Sequence, residues 1–476
     1  MPKPELGERG AEMQQQILQL QQRIQGKKIA FIGAGVSHKE LIGLFCRLGA
    51  KVTLCDKKAS LEEFGEFGLE LQQYGVALSL GQDYMQGFAG QDMILRTPGF
   101  EYYTPQLQQA KQQGIEITSE MELFFELCPC KKIAVTGSDG KTTTTSLIAE
   151  MLRQEGKRVH LGGNIGRALL PIVGEIAPED WAVVELSSFQ LISMKQSPDI
   201  AVVTNVTPNH LDHHKDMQEY VDAKRNILLY QGQNSKAVLG WENPITRQMQ
   251  QDAKGSLHWF SRLNPVQEGA FLNQEGWLCM AEGGKITPVV QQSAIKLRGV
   301  HNVENMLTAI AAVWGLVSVQ TIQQVATTFA GVEHRIEFVR SHKGVQWYND
   351  SIASSPTRTI AGLRSFDQKL ILIAGGYDKK IPYQPLVPEL FAHVKHLILM
   401  GDTGKILWQL VEQDPNFAQS GLTLHRADQM EQAVQQAEQI AQEGDIVCLS
   451  PAAASFDKYP NFEVRGRHFK ELVNQL

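Results

Sequence analysis

The chain has 476 residues, more than one hydrophobic core usually supports, so about three domains are expected. Hydrophobic residues make up 43% and charged residues 20%, a composition typical of a globular protein and not of a disordered or fibrous one. The formal net charge is −6, which argues against a protein that works mainly by binding nucleic acid.

The first residues are polar where a secretion signal needs an apolar core, and no apolar run approaches the ~18 residues of a membrane span. These features predict a cytoplasmic protein that does not bind a membrane. We also expect a monomer.

Residues 11–25 are rich in Gln, and Met13, Ile17, Leu20 and Ile24 recur at helical spacing, which predicts a short leader helix. Strand-like runs then alternate with helical stretches in a first βα series. The runs of this series are 28–32, 51–55, 92–95 and 115–117.

Two further series follow, and the second is rich in Val, Ile and Ala, as strands buried on both faces of a parallel sheet are. Its runs are 132–135, 158–161, 181–186, 200–203 and 236–239, followed by shorter strands within 256–290 and a helix over 302–316. The runs of the third series are 345–348, 370–374, 396–400, 422–425 and 446–449.

We therefore predict an α/β protein of three consecutive domains: Rossmann-like, central P-loop ATPase-like with a parallel sheet, and C-terminal Rossmann-like. The expected boundaries are a helical leader over 1–26 and domains over 27–118, 119–330 and 331–476.

The most informative segment is the loop Gly137-Ser138-Asp139-Gly140 with Lys141-Thr142-Thr143, between a predicted strand and a predicted helix. The two glycines allow backbone N–H groups to turn toward an anion, the lysine adds a charge, and the first threonine offers a hydroxyl to Mg²⁺. The spacing is two residues shorter than the standard P-loop, so a glycine turn without a ligand remains an alternative on this segment alone.

Glu185 ends a strand of the same predicted sheet, where its carboxylate could hold Mg²⁺ together with Thr142. After the next strand, His210, Asp212, His213 and His214 suggest zinc. No cysteine or Glu-x-x-His partner accompanies them, so a loop with one or two site residues is favoured.

In the first domain, Gly33-Ala34-Gly35 and Asp56 are spaced as in a dinucleotide-binding fold, which raises the alternative of a nicotinamide-linked oxidoreductase. His38 stands where the third glycine of that pattern would be, which argues against this alternative. The loop could still bind a diphosphate. In the third domain, polar loops after three predicted strands suggest a cleft. These loops start at Asn349, Gly375 and Ser450.

Several motifs in fixed order resemble the Mur ligases, the ATP-dependent amide-forming enzymes of peptidoglycan precursor synthesis. The motifs lie at 136–143, 163–166, 185–190, 205–212 and 301–305. Asp350-Ser351 and Ser455-Phe456-Asp457, followed by 461–466, are similar to the members that add D-glutamate to UDP-N-acetylmuramoyl-L-alanine. The resemblance runs from about residue 28 to the C-terminus and leaves the leader without a role.

The resemblance implies that ATP phosphorylates the terminal carboxylate of UDP-N-acetylmuramoyl-L-alanine and that the amine of D-glutamate attacks the acyl phosphate. It implies Mg²⁺, with two ions expected, and a carbamylated Lys224 that would supply oxygen ligands. His210 would lie at the second ion, where histidine is an unusual ligand and could act through a water.

The remaining site residues are carried over from the same resemblance. Those expected at the UDP-sugar are Ser37, Asp56, Thr97 and Asn164. Those expected at ATP, besides the loop 137–143, are Asn305, Arg335 and Asp350. Those expected at D-glutamate are Lys379, Ser455 and the backbone of Phe462. The residues expected in catalysis are Lys141, Glu185, His210 and Lys224.

Two further alternatives stay open at this point. A folylpolyglutamate synthetase shares the phosphate loop and the modified lysine, although its substrate does not need the first domain placed at the N-terminus. A noncatalytic nucleotide sensor would bind ATP without substrate-dependent phosphate release.

Overall fold

The computed structural model describes residues 8–208, 214–297, 299–378 and 381–476, without the side chains of 8–14, 36 and 37. The chain forms two units. Unit 1 comprises the chain up to Ile295 together with His301–Thr327, and unit 2 comprises Lys296–Val300 and Thr328–Leu476. Three sheets are present in these residues, two in unit 1 and one in unit 2.

The first sheet of unit 1 has five parallel strands in the order β3-β2-β1-β4-β5. Its strands are β1 (Lys28–Ile32), β2 (Lys51–Asp56), β3 (Ala77–Leu80), β4 (Met93–Leu95) and β5 (Glu116–Thr118). Its helices are α1 (Glu8–Ile24), α2 (Val36–Arg47), α3 (Glu66–Gln73), α4 (Pro105–Gln112) and α5 (Glu120–Leu127).

The second sheet has nine strands in the order β14-β13-β12-β11-β10-β9-β6-β8-β7, parallel except for β13, which is antiparallel to both β12 and β14. Its strands are β6 (Lys131–Thr136), β7 (Val159–Gly163), β8 (Trp181–Glu185), β9 (Ile200–Val203), β10 (Lys236–Gly240), β11 (Ser256–Ser261), β12 (Gly269–Leu272), β13 (Trp277–Glu282) and β14 (Lys285–Gln291). Its helices are α6 (Lys141–Gln154), α7 (Ser188–Leu191), α8 (Met217–Leu229), α9 (Pro244–Gln248), α10 (Val300–Val313) and α11 (Val319–Thr328).

The sheet of unit 2 has six strands in the order β15-β16-β20-β17-β18-β19, parallel except for β15. Its strands are β15 (Glu337–His342), β16 (Val345–Asn349), β17 (Leu370–Gly375), β18 (Val394–Met400), β19 (Thr423–Arg426) and β20 (Ile446–Leu449). Its helices are α12 (Pro356–Leu363), α13 (Val387–His393), α14 (Gly401–Glu412), α15 (Phe417–Ser420), α16 (Met430–Ile440) and α17 (Phe462–Gln475).

The predicted three-domain α/β architecture is confirmed, and most predicted strands agree within one or two residues. Two strands, β3 and β15, were not predicted. Every residue of both strands is exposed or half-buried. The apolar stretch of β3, Ala77-Leu78-Ser79-Leu80, is only four residues long, and the sequence of β15 neither alternates nor forms an apolar run.

The two sheets of unit 1 share one apolar cluster, which contains Phe31 of β1, Phe124 of α5 and Val184 of β8. The central strands β8 and β9 are buried along their whole length, as their Val and Ala content predicts. None of the helices in the described part of the chain combines the length and apolar character that crossing a bilayer requires.

The leader helix α1 packs on unit 1. Leu20 and Ile24 are fully buried in the shared cluster, and Arg23 forms ion pairs with Glu116 of β5 and Glu126 of α5. The helix therefore stabilises unit 1 through burial of its apolar stripe, a structural role that the predicted amphipathic pattern anticipates.

This packing predicts a large difference between two leucines of the same helix. Leu20→Ala removes a fully buried side chain and should lower the free energy of unfolding by about 2–5 kcal/mol. Leu18→Ala, at a position 51% exposed, should change it by less than about 0.5 kcal/mol. Urea unfolding followed by circular dichroism measures both, and equal effects would show that α1 is not docked as described.

Candidate functional site

The loop between β6 and α6 has the backbone shape of an anion site. Gly137 and Gly140 have φ of +148° and +78°, values that glycine tolerates best. A Cβ on Gly137 would lie 1.9 Å from Thr204 Oγ1, and one on Gly140 would lie 2.3 Å from Asn305 Oδ1. Glycine is therefore required at both positions by conformation and by space.

The loop is braced by the segment that follows β9. Ser138 N donates to Asn205 O at 2.8 Å, and Asp139 N donates to Asn205 Oδ1 at 3.0 Å. Thr204 Oγ1 donates to Asp139 O at 2.6 Å. These bonds fix the loop, so that its shape exists before any ligand arrives.

Lys141 opens α6 and folds back over the loop, where its Nζ donates to Gly137 O at 3.0 Å and Ser138 O at 2.9 Å. Thr142 follows it in the first turn, and no side chain caps the start of this helix. The positive end of the helix and an ammonium group thus meet at one place, which suits a phosphate chain.

Glu185, the last residue of β8, is 1% exposed. Its Oε1 accepts a hydrogen bond from Asn164 Nδ2 at 2.7 Å, while its Oε2 has no hydrogen-bond partner among the described residues. A buried carboxylate oxygen without a donor is costly, and a divalent cation would satisfy it. This side chain fits the predicted magnesium site.

Lys224 of α8 is also 1% exposed, and its Nζ donates to Gly137 O at 2.8 Å. Burial, together with repulsion from Lys141, holds the pKa of Lys224 well below its ordinary value. The neutral amine is therefore favoured. A neutral amine is the form that reacts with CO₂, so the environment suits the predicted carbamate.

Asn305 of α10 reaches the same loop. Its Oδ1 accepts a hydrogen bond from Thr144 Oγ1 at 3.3 Å, and its Nδ2 donates to Asn302 Oδ1 at 2.9 Å. The structure thus brings the loop, Glu185, Lys224 and Asn305 together in unit 1. His210 lies outside the described residues.

The predicted UDP-sugar residues of the first sheet lie at the carboxyl ends of neighbouring strands. Asp56 Oδ2 accepts from Ala34 N at 3.0 Å, and Thr97 lies two residues after the end of β4, which pairs with β1. His38 is 1% exposed beneath this loop, its Nδ1 lies 2.9 Å from Gly33 O, and burial lowers its pKa to about 4. The side chain of Ser37 lies outside the described residues.

Asn164 does not join Asp56 and Thr97. It follows β7 of the second sheet and binds Glu185, so the structure places it at the candidate metal site. A UDP-sugar that reaches both sheets could still contact it, which remains a prediction.

In unit 2, the predicted residues lie after β16 and β20 and at the start of α17. Asp350 is 3% exposed, its Oδ2 accepts from Ser450 Oγ at 2.7 Å, and its Oδ1 accepts from Ile336 N at 3.3 Å. Ser455 is 3% exposed, and Phe462 O accepts from Ser351 Oγ at 2.8 Å. Lys379 lies outside the described residues.

Arg465 connects these loops, although the sequence analysis gave it no role. This buried guanidinium donates to Ser351 O at 2.8 Å and to Ala453 O and Ala454 O, both at 3.1 Å. The next residue, Gly466, has no room for a Cβ, which would lie 2.2 Å from His334 Nδ1. In the sequence, the pair Arg465-Gly466 at the end of the motif 461–466 was the signal that could have identified this residue.

Arg96 was missed in the same way in unit 1. It is 1% exposed, and its Nη2 donates to Phe189 O at 2.8 Å and to Ser193 Oγ at 3.1 Å. Its Nη1 donates to Thr97 O at 3.3 Å. Arg96 therefore joins the loop of the first sheet to the segment that follows Glu185.

One further group of possible metal ligands, Glu333, His334 and Glu337, lies in unit 2. Lys470 Nζ already binds Glu333 at 2.9 Å and Glu337 at 2.7 Å. One ammonium group thus already pairs with both carboxylates, and we assign no metal here.

Three known domain families match this chain, and they follow one another in the order that the sequence predicted. The MurD-like N-terminal domain matches residues 27–119, the Mur ligase middle domain residues 135–313, and the Mur ligase glutamate ligase domain residues 334–453. A UDP-N-acetylmuramoylalanine–D-glutamate ligase of Acetivibrio thermocellus is 49% identical over 462 residues, which cover 95% of this chain and 97% of that protein. The chain belongs to the Mur ligase family.

Other similar proteins agree with this assignment. A Clostridium botulinum protein of the same name is 47% identical over 453 residues, 95% of this Mur ligase and 98% of that protein. Two solved structures share the fold at low identity. One is a UDP-N-acetylmuramate-alanine ligase of Thermotoga maritima, with a TM-score of 0.57 and 16% identity, which covers 94% of this chain and 99% of that one. The other is MurF of Acinetobacter baumannii, with a TM-score of 0.58 and 15% identity, which covers 96% of this chain and 98% of that one.

Membership makes this chain an ATP-dependent ligase of small-molecule substrates that uses Mg²⁺. It therefore decides against the nicotinamide-linked oxidoreductase and the noncatalytic nucleotide sensor.

Burial of Asp350 predicts a specific pH dependence. Its pKa is raised to about 7 by burial, against the opposing effect of the hydrogen bond from Ser450. Since the folded pKa lies above the ordinary value of 3.8, the group favours folding at pH 4, and this contribution is lost as pH rises through about 7. Asp350→Asn abolishes the titration.

We therefore consider the difference in melting temperature, wild type minus Asp350→Asn. This difference should decrease as pH rises from 4 to 8 and then stay constant. Thermal unfolding at several pH values measures the difference, in which other titrating groups cancel. Asp367→Asn, at an exposed position of unit 2, serves as the control and should show a flat difference. A flat difference for Asp350→Asn as well would contradict the burial described here.

Proposed function

We propose that this Mur ligase joins D-glutamate to UDP-N-acetylmuramoyl-L-alanine through an acyl phosphate formed from ATP. The observation that carries the proposal is 47–49% identity to proteins named for this reaction, along 95% of the chain. The buried, partly unpartnered Glu185 beside the phosphate loop supports the ATP-dependent step.

The reaction requires activation because a carboxylate is a poor electrophile. Transfer of the γ-phosphoryl group to a carboxylate oxygen gives an acyl phosphate and ADP. The amine of D-glutamate then attacks the acyl carbon, phosphate leaves, and a proton is released as the amide forms. A site for these steps must neutralise phosphate charge and exclude water.

The phosphate loop and Lys141 neutralise the phosphate chain, and each strong contact of this kind is worth on the order of 3 kcal/mol. Thr142 and Glu185 would hold one magnesium ion, and His210 with carbamylated Lys224 would hold a second. Bound Mg²⁺ supplies charge neutralisation and fixes the orientation of the phosphoryl group. The carbamate forms when the Lys224 amine attacks CO₂ and loses a proton, which gives an anionic oxygen ligand.

The substrate residues are assigned by the same proposal. The UDP-sugar contacts are Ser37, Asp56, Thr97 and Asn164. The ATP contacts outside the loop are Asn305, Arg335 and Asp350. The D-glutamate contacts are Lys379, Ser455 and the backbone of Phe462. The corresponding segments are a leader over 1–26, a UDP-sugar domain over 27–118, an ATP domain over 119–330 and a D-glutamate domain over 331–476.

Phosphate release tests the proposal. Purified protein with ATP and UDP-N-acetylmuramoyl-L-alanine should release phosphate when D-glutamate is added and at least tenfold more slowly with L-glutamate. Lys141→Ala should lower kcat by about 10²–10³-fold, since it removes charge from the transferred phosphoryl group.

Lys157→Ala is the matched control, because this exposed lysine lies beyond the other end of α6 and should leave kcat unchanged. Equal phosphate release with and without the UDP-sugar would contradict the proposed ligation. Equal rates for Lys141→Ala and Lys157→Ala would contradict the role of the phosphate loop.

The carbamate has its own test. Protein equilibrated with ¹³C-bicarbonate should show one protected carbamate signal by ¹³C NMR, and Lys224→Arg should lose it together with most activity. Lys236 is a half-buried lysine whose pKa burial lowers to about 8, so Lys236→Arg is the matched control. Loss of the signal in both variants, or its absence from the wild type, would refute modification at Lys224.

A further inference from the structure

His214 is a buried imidazole near the candidate metal site to which neither the family pattern nor the proposed reaction gives a role. It is 4% exposed. Its Nε2 lies 2.9 Å from Ser188 Oγ, and its Nδ1 lies 3.0 Å from Glu219 Oε1. Both ring nitrogens therefore have a partner, and the partners come from different elements.

The carboxylate partner fixes the direction of one hydrogen bond. A carboxylate oxygen can only accept, so Nδ1 donates to Glu219. The Ser188 hydroxyl can donate or accept, so it pairs with Nε2 in either case.

Two aromatic side chains fix the plane of the ring. Phe189 stacks on it, with ring centroids 5.1 Å apart and planes 4° from parallel. Tyr220 packs against the imidazole in an edge arrangement, with ring centroids 5.2 Å apart. With its plane and both nitrogens fixed, the imidazole can hold its neighbours in one arrangement.

Each neighbour belongs to an element of the candidate metal site. Ser188 begins α7, close after Glu185 at the end of β8. Glu219 and Tyr220 lie in the first turn of α8, the helix that carries Lys224. His214 thus connects the β8–α7 segment to α8 by side-chain contacts.

The helix that His214 contacts is also attached to the phosphate loop. Ser138 Oγ donates to Thr207 O at 2.9 Å, and Tyr220 OH lies 2.9 Å from the same serine oxygen. The first turn of α8 is therefore connected both to His214 and to the phosphate loop.

We propose that His214 is a positioning residue that holds the β8–α7 segment, which follows Glu185, in a fixed place relative to α8, which carries Lys224, and thereby determines the affinity for magnesium. The inference rests on the proposed function for the identity of the metal. Side chains that orient metal ligands without touching the ion typically contribute 10–100-fold to metal affinity or activity.

A purely structural role is the competing explanation, and the chain offers a matched control for it. His160 is 6% exposed, and its Nε2 lies 2.8 Å from Asp180 Oδ2, so it forms the same kind of buried imidazole–carboxylate contact. It lies in β7 opposite Ala182, whereas Gly163 of β7 is opposite Glu185. His160 is thus about 10 Å along the sheet from the candidate site.

The experiment compares His214→Gln, His160→Gln and the wild type as full-length proteins. Two quantities are titrated with Mg²⁺: phosphate release under steady-state conditions, and binding of a nonhydrolysable ATP analogue by calorimetry. For His214→Gln, we expect the Mg²⁺ concentration for half-maximal effect to rise about tenfold or more in both assays. KM for D-glutamate should change less than about twofold, because the metal site lies in unit 1.

His160→Gln should lower the melting temperature and leave both Mg²⁺ titrations unchanged. An unchanged Mg²⁺ titration for His214→Gln, or an equal shift in the two variants, would overturn the proposal. Should His214→Gln fail to fold, Ser188→Ala and Glu219→Ala each remove one of the two hydrogen bonds, and each must raise the Mg²⁺ requirement, with a smaller effect in Glu219→Gln.

The binding assay separates this inference from the proposed function. If the wild type released no phosphate in response to the UDP-sugar and D-glutamate, the proposed ligation would fail. The Mg²⁺ dependence of nucleotide binding would still decide whether His214 positions the site.

Discussion

The candidate site depends on charges that are buried at the carboxyl ends of adjacent strands. Glu185 and Lys224 are each 1% exposed, and burial of an ionisable group is expensive unless it is paired or neutral. Burial holds the pKa of Lys224 well below its ordinary value, and Glu185 Oε2 has no donor among the described residues. A bound divalent cation would satisfy that carboxylate oxygen, so the burial of Glu185 is consistent with a site that binds metal.

Burial of apolar strands around the site offsets the free-energy cost of burying these groups. The strands β8 and β9 are apolar and buried throughout, and the cluster they join continues into the first sheet and α1. The phosphate loop adds little stability of its own, since its glycines lose more conformational entropy on folding than other residues would. Its shape comes instead from Thr204 and Asn205, which follow the neighbouring strand β9. Rigid strands and a braced loop together give an arrangement that is ready for phosphate before binding.

The sequence could predict the features that repeat locally. Buried strands show as continuous apolar runs, and the phosphate loop shows as glycines at fixed spacing before a lysine. Contacts between distant segments could not be predicted in this way: Arg96 reaches Phe189 across 93 positions, and Arg465 reaches Ser351 across 114. Nothing in the local sequence of an arginine distinguishes such a buried connector from a surface residue. The strands β3 and β15 were missed because they are short or weakly patterned: β3 is an apolar stretch of four residues, and the sequence of β15 does not alternate.

The segment that leads into the sheet of unit 2 has a strained backbone that side-chain contacts hold in place. His334 and Ile336, on either side of Arg335, have φ of +65° and +45°, and a β-branched residue at such a φ is unfavourable by about 1–3 kcal/mol. Side-chain contacts hold this conformation: Glu337 Oε2 accepts from His334 N at 2.9 Å and from Asn349 Nδ2 at 3.0 Å. Asp350 contributes as well, through its bond from Ile336 N. These contacts therefore fix the backbone conformation on either side of Arg335.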